Sequence, residues 1–208
     1  LRIALATQKA RGGPAEPVLR LQLPLAGVTL TGSIDARFQA ARVEHGYSSS
    51  GPKQLVKLGV KHLAMCAAGA PSPSVAVLRG QKQQSVDTIR LNPLGPDLAR
   101  ARLETLIHWF AKGQALPLPF LPVPSQAYFL ALRGKKPEEA LDKAIKAYAE
   151  SNRTGIVDQH VERIFRGLMP PFDSAYDQGC KSLEETHFHA ASLAFFDCFQ
   201  DLLGAHES

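Results

Sequence analysis

The sequence predicts an α/β (α+β) fold, a mixed sheet with flanking helices followed by a helical C-terminal extension, and three observations predict it. Between residues 18 and 46, apolar side chains recur at every second position, the period of a half-buried strand. Between Lys53 and Ala68 they recur at spacings of one, three and four, which is the period of a helix face. Beyond residue 92 the periodic segments are helical, and glycine or proline stops them. Strand–strand–strand–helix–strand is a layered arrangement with one crossover connection.

Leu1 to Ala10 reads as a short helix stopped by Gly12-Gly13-Pro14. Val18 to Leu23 alternates as a first strand, Val28 to Phe38 as a longer second one, and Ala40 to Gly46 as a third that closes a meander. Ser48 to Pro52 is a loop, with Pro52 placed for the first turn of the next helix. In that helix Leu55, Val56, Gly59, Val60, Leu63 and Ala64 form the apolar face, and Lys53, Lys57 and Lys61 form a basic stripe four residues apart. Val75 to Leu78 and Ser85 to Leu91 are two further strands joined through Arg79-Gly80-Gln81-Lys82. A composition change near residue 92 divides the chain into expected regions 1–92 and 93–208. In the second, Asp97 to Lys112 is an amphipathic helix using Leu98, Ala101, Leu103, Leu106, Ile107 and Phe110, ended by Gly113. Leu116 to Pro124 alternates proline with large apolar residues and reads as an extended strap rather than a polyproline ligand. Glu138 to Glu150, Asp158 to Gly167 and Ser182 to Leu203 complete the helices.

Charge is divided like the composition. Residues 1–102 hold 14 Lys/Arg against 5 Asp/Glu, a net +9, whereas residues 103–208 hold 10 against 14, a net −4. A basic half with few acids suits a polyanion, because each neutralised phosphate releases counterions. No run approaches the length of a membrane helix, and no signal peptide opens the chain, so no membrane partner is expected. Cys66, Cys180 and Cys198 are three, widely spaced and in apolar contexts, which points to a reducing cytoplasm, and Cys66 and Cys198 read as packed thiols. A chain that opens on Leu1 and enters a helix at once is expected to be part of a longer polypeptide.

Gly32-Ser33-Ile34-Asp35, late in a strand, is a way to present one carboxylate to Mg²⁺ at a sheet edge. Such a site needs a second acid, and a lysine two residues beyond it to orient water or stabilise phosphate charge. The next strand reads Arg42-Val43-Glu44-His45-Gly46-Tyr47, in which Glu44 is followed by Gly46. Half of the pattern is present. Phosphate-loop, dinucleotide and G-x-S-x-G spacings are absent. His187-Phe188-His189 diverges on a helix, and Trp109 beside Phe110 reads as core, while Tyr47 has the ring to stack on a base.

The run from Val28 to Ala70, with Gly32-x-Ile34-Asp35, the helix after it and Val75-Ala76-Val77-Leu78-Arg79-Gly80, resembles the core of the PD-(D/E)xK nuclease superfamily in its RecB-type branch. More closely, the chain resembles the C-terminal domain family of RecC, the gamma subunit of exodeoxyribonuclease V. Lys61 to Gly69, Leu91-Asn92-Pro93-Leu94, Gly113 to Pro122 and Ala147 to Glu150 carry that likeness, over nearly the whole chain. The resemblance implies a restriction-endonuclease-like core that has lost catalysis, with RecB and RecD subunits and DNA as partners. It implies no catalytic residue and no cofactor, with Asp35 the remnant of a metal site. DNA contact is expected from Arg42, Lys53, Lys57 and Lys61, then from Arg79 and Lys82. Two alternatives stand beside it. One is an active Mg²⁺ nuclease using Asp35 and Glu44 with Lys53 or Lys57 as a migrated lysine; the other is a protein scaffold without DNA contact.

Overall fold

A computed structural model describes residues 1–80, 85–153, 180 and 182–203. The expected helix at 158–167 and Lys82 lie outside the described residues. The structure is α+β, with six helices and two small sheets among the described residues.

α1 (Arg2–Arg11) ends on Gly12, whose φ of 58° gives the left-handed turn that a side chain resists. β1 (Leu19–Leu25) and β2 (Val28–Ile34) form an antiparallel hairpin in which Leu25 pairs with Val28. The two-residue turn has φ of 47° at Ala26 and 78° at Gly27, so both central residues are left-handed, as a tight hairpin of native twist requires. Leu21, Leu23 and Leu25 bury one face of this ribbon.

The second sheet has order β3-β4-β5, from β3 (Arg42–Ser49), β4 (Ser74–Arg79) and β5 (Val86–Leu91). β3 and β4 are parallel, connected by α2 (Pro52–Ala67), and β5 is antiparallel to β4. This corrects the expected three-strand meander and single mixed sheet. The second strand stops at Ile34 because the chain turns at Ala36, where φ is 54°. What remains of the meander is an isolated Arg37–Arg42 bridge and the bond from Val43 N–H to the Ala36 carbonyl, 2.9 Å.

Period-two alternation gives the second sheet two different faces. Val43, Val75 and Val77 form a core with Ala41, against which Ile3, Ala6 and Ala10 of α1 pack. On the other face, Glu44 and Ser74 meet side chains of α2. α2 buries Leu55, Leu58, Gly59 and the continuous run His62–Ala67, while Val60, expected in the core, is 39% exposed.

α3 (Pro96–Ala115) runs through Gly113, which sequence reading takes as its stop. Its buried positions are Ala99, Leu103, Leu106 and Trp109; Leu98 and Phe110, expected inside, are exposed. The chain divides into two compact units within this helix: residues 1–107 with 198–208, and residues 108–197. In the first, the last described segment returns to the sheet. Asn92 N–H donates to the Leu202 carbonyl at 2.8 Å, and Arg102 makes bonds of 2.7 and 2.6 Å to the two Asp201 oxygens.

In the second unit the apolar strap is shorter than expected. Residues 117–121 are irregular, but α4 (Pro122–Ala131) begins at Pro122. Pro122 and Pro124 fall in the first turn, where helix N–H groups have no intrahelical acceptor, so the prolines start this helix. α5 (Pro137–Arg153) buries Ala140, Ala144 and Tyr148 at intervals of four. Tyr128, Ala140, Ala144 and Phe188 form one core cluster, and Phe120 stacks on Phe195 with ring centroids 4.1 Å apart. The expected last helix is broken into a 3₁₀ turn at Leu183–Glu185, α6 (His187–Asp197) and a second 3₁₀ turn at Gln200–Leu202. His187 and His189 lie on α6, and His189 Nδ1 meets the Tyr128 hydroxyl at 2.7 Å.

Candidate nucleic-acid interface

α2 brings the basic stripe and the remnant of the acidic motif to one side of the second sheet. Its apolar positions face the strands, so its remaining face carries Lys53 and Lys57 exposed and Lys61 part-exposed. Gln54 on the first turn donates to Ser48 Oγ at 2.9 Å, fixing the loop that leads into the helix.

Arg42, expected to reach DNA, is instead in the interior. Its side chain is fully buried and bonds Glu44 Oε1, so it presents no cation to solvent. The cause is the strand itself: positions two apart share a face, and the face shared by Arg42 and Glu44 lies under α2. Arg42 Nε and Nη1 have no hydrogen-bond partner. Lys61 Nζ closes the other side, 2.5 Å from the same Glu44 oxygen. Burial pushes the Glu44 carboxyl up, but the Lys61 hydrogen bond and the charges of Arg42 and Lys61 outweigh it and hold the carboxyl below its ordinary range. The lysine that meets Glu44 is therefore Lys61, rather than the migrated Lys53 or Lys57 of the nuclease alternative.

Asp35 is exposed, just beyond the end of β2. A Mg²⁺ site of the nuclease type needs at least two free hard-oxygen donors. Asp35 is one; the Glu44 oxygen is already held by two cations. Among the described residues no group of three or more His, Cys, Asp or Glu is placed to hold a metal ion.

Beside this ion cluster lies a buried histidine that sequence reading missed. His62 Nδ1 and Ser74 Oγ are 2.9 Å apart, and His62 Nε2 lies 2.9 Å from the Asn92 carbonyl. Since a carbonyl only accepts, Nε2 carries the proton and Nδ1 accepts from the serine. Burial pushes the His62 pKa down to about 4, the Asn92 bond opposes this, and the Arg42 charge adds to it. Cys66, one turn on, is buried as expected, and burial pushes its thiol pKa up. The Arg42–Glu44 pair did have a sequence signal: opposite charges two apart in a strand share one face.

Arg79 is exposed at the end of β4, on the sheet face opposite to α2, where it lies near Tyr47 and the first turn of α1. No described helix is long and apolar enough to cross a membrane. Comparison with curated proteins finds no match. Comparison with protein families matches residues 2–133 to the RecC C-terminal domain. That span includes both sheets, α2 and the whole Arg42–Glu44–Lys61 cluster, and the chain belongs to the RecC C-terminal domain family.

Proposed function

We propose that this domain is a non-catalytic, nuclease-like module of the RecC subunit of exodeoxyribonuclease V, which contacts DNA and the RecB and RecD subunits during double-strand-break repair. It guides DNA strands and supports subunit assembly, without a cofactor of its own. The observation that carries this reading is the state of Glu44. In the position where the nuclease pattern wants a metal-binding acid, Glu44 is clamped between Arg42 and Lys61, and Gly46 stands where the lysine of that pattern would be. The motif is spent on an internal ion pair, while Lys53 and Lys57 on the outer face of α2 keep the charge a DNA backbone needs. Arg79 and Lys82 belong to the same reading as a second contact.

Two measurements test it. Lys53→Ala/Lys57→Ala in the full-length subunit should reduce the salt slope of duplex binding by about two, the counterions two phosphate contacts release. An unchanged slope removes these lysines from the interface. The exposed Asp35 carboxylate at the end of β2 favours the alternative, an active nuclease. Mg²⁺- or Mn²⁺-dependent DNA degradation by the purified chain, abolished by Asp35→Ala, would establish that alternative.

A further inference from the structure

Tyr47 is a large aromatic residue on a strand, yet it is 79% exposed. It lies where the β3–β4 ladder is irregular, between His45 and Ser49, and lines one cavity with Arg2, Ile3 and Ala4, so it stands on the α1 side of the sheet rather than under α2. Next to it, at the corresponding end of the neighbouring parallel strand, is Arg79, whose pairing partner is Ser49. The carboxyl ends of adjacent parallel strands are where open α/β sheets hold ligands. Here those ends border a cavity of about 460 Å³, with Ile3, Ala4 and Val86 as apolar lining and Arg2, Tyr47 and Arg79 around it. None of its described lining residues is acidic. The volume is that of a small-ligand pocket.

The geometry points to a single-strand nucleotide site in which the base stacks on Tyr47 and the adjoining phosphate lies against Arg79. An aromatic face accepts any base, and a guanidinium recognises phosphate with paired donors, so the site is sequence-tolerant and needs a base free of its duplex partner. Its apolar lining suits the edge of a base, and the absence of an acid among the described lining residues leaves the arginine charge for the phosphate. The site rests on the DNA-binding reading but lies on the opposite sheet face from the α2 lysines, so the two can be separated.

The test uses the full-length subunit and a single-stranded oligodeoxynucleotide carrying 5-iodouracil. On irradiation the adduct should map to the peptide containing Tyr47. Tyr47→Ala should remove it and weaken single-strand affinity about tenfold, equivalent to ~1.4 kcal/mol for one stacked base. Tyr47→Phe should retain both, because the ring rather than the hydroxyl stacks. Arg79→Ala should lower the salt slope by about 0.7, the value of one single-strand phosphate contact. An adduct elsewhere, or Tyr47→Ala binding within twofold of the parent protein, overturns the site. If Lys53→Ala/Lys57→Ala weakens binding while Tyr47→Ala does not, the pocket falls and the α2 interface stands. If neither changes binding, both fall.

Discussion

Glu44→Gln tests the internal ion cluster most directly. The change is nearly isosteric, so it removes charge with little loss of volume. Arg42 has no exposed surface, its Nε and Nη1 lack partners, and its bonded counter-charge is Glu44. Deleting that counter-charge leaves an uncompensated buried guanidinium, which costs about 3–5 kcal/mol. Lys61→Met removes the other cation, but Lys61 is 38% exposed and water screens it, so its loss should cost at most about 1 kcal/mol. In urea, with a slope of about 1–3 kcal/mol per molar, Glu44→Gln should lower the midpoint by roughly 1–5 M. Arg42→Met/Glu44→Gln should recover most of the loss, because the stranded charge is gone. The sign with pH follows from the depressed Glu44 pKa. Its contribution is complete above the unfolded carboxyl pKa and disappears as the pH falls through the lower folded value. Equal midpoints for Glu44→Gln and Lys61→Met would refute the claim that Glu44 neutralises a buried Arg42.

The remaining predictions concern His62, Gly59 and Ala26. His62 is neutral in the fold and its pKa falls from 6.5 to about 4, so the unfolded chain binds the extra proton first. Stability should be level above pH 6.5 and decline between pH 6.5 and 4, and urea midpoints of His62→Gln should lack that slope. A Cβ on Gly59 would run into the Phe199 ring, so Gly59→Ala should lower stability by about 1–3 kcal/mol despite alanine's better helix propensity; a thermal midpoint at or above that of the parent would oppose this. Ala26 holds φ of 47° at the first position of a two-residue hairpin turn, where asparagine is preferred. Ala26→Asn should therefore raise stability by about 0.5–1 kcal/mol in the same assay.

Periodicity located β1, β2, α2, β4, β5 and α5 to within a few residues, because each presents one apolar face to a core. It failed where a backbone conformation decided the outcome. Nothing in Asp35-Ala36-Arg37 announces a positive φ, yet that single turn ends β2 and divides one expected sheet into two. It failed again at Pro122 and Pro124, since the same residues that forbid a helix interior suit a helix start. At the candidate interface, the basic stripe on α2 was legible because its spacing alone sets its face. The fate of Arg42 was less so: alternation places it beside Glu44, but only the position of α2 decides that this face is covered. The juxtaposition of Tyr47, Arg79 and the start of α1 depends on a parallel pairing that joins residues some thirty apart, which no local pattern reports.

The return of Cys198–Leu203 to the first unit has a consequence for synthesis on the ribosome. Leu202 receives the Asn92 N–H, Phe199 packs against Gly59, and Asp201 holds Arg102, so the first unit is finished by residues made about ninety positions after Ile107. Its sheet and α2 can assemble early, but their final covering must wait until roughly a hundred further residues have emerged. Closing so long an intervening loop costs little more than closing one half its length, since the entropy grows only logarithmically. The penalty is one of time, during which the Phe199 site beside Gly59 stays uncovered on the nascent chain and offers an apolar surface to chaperones.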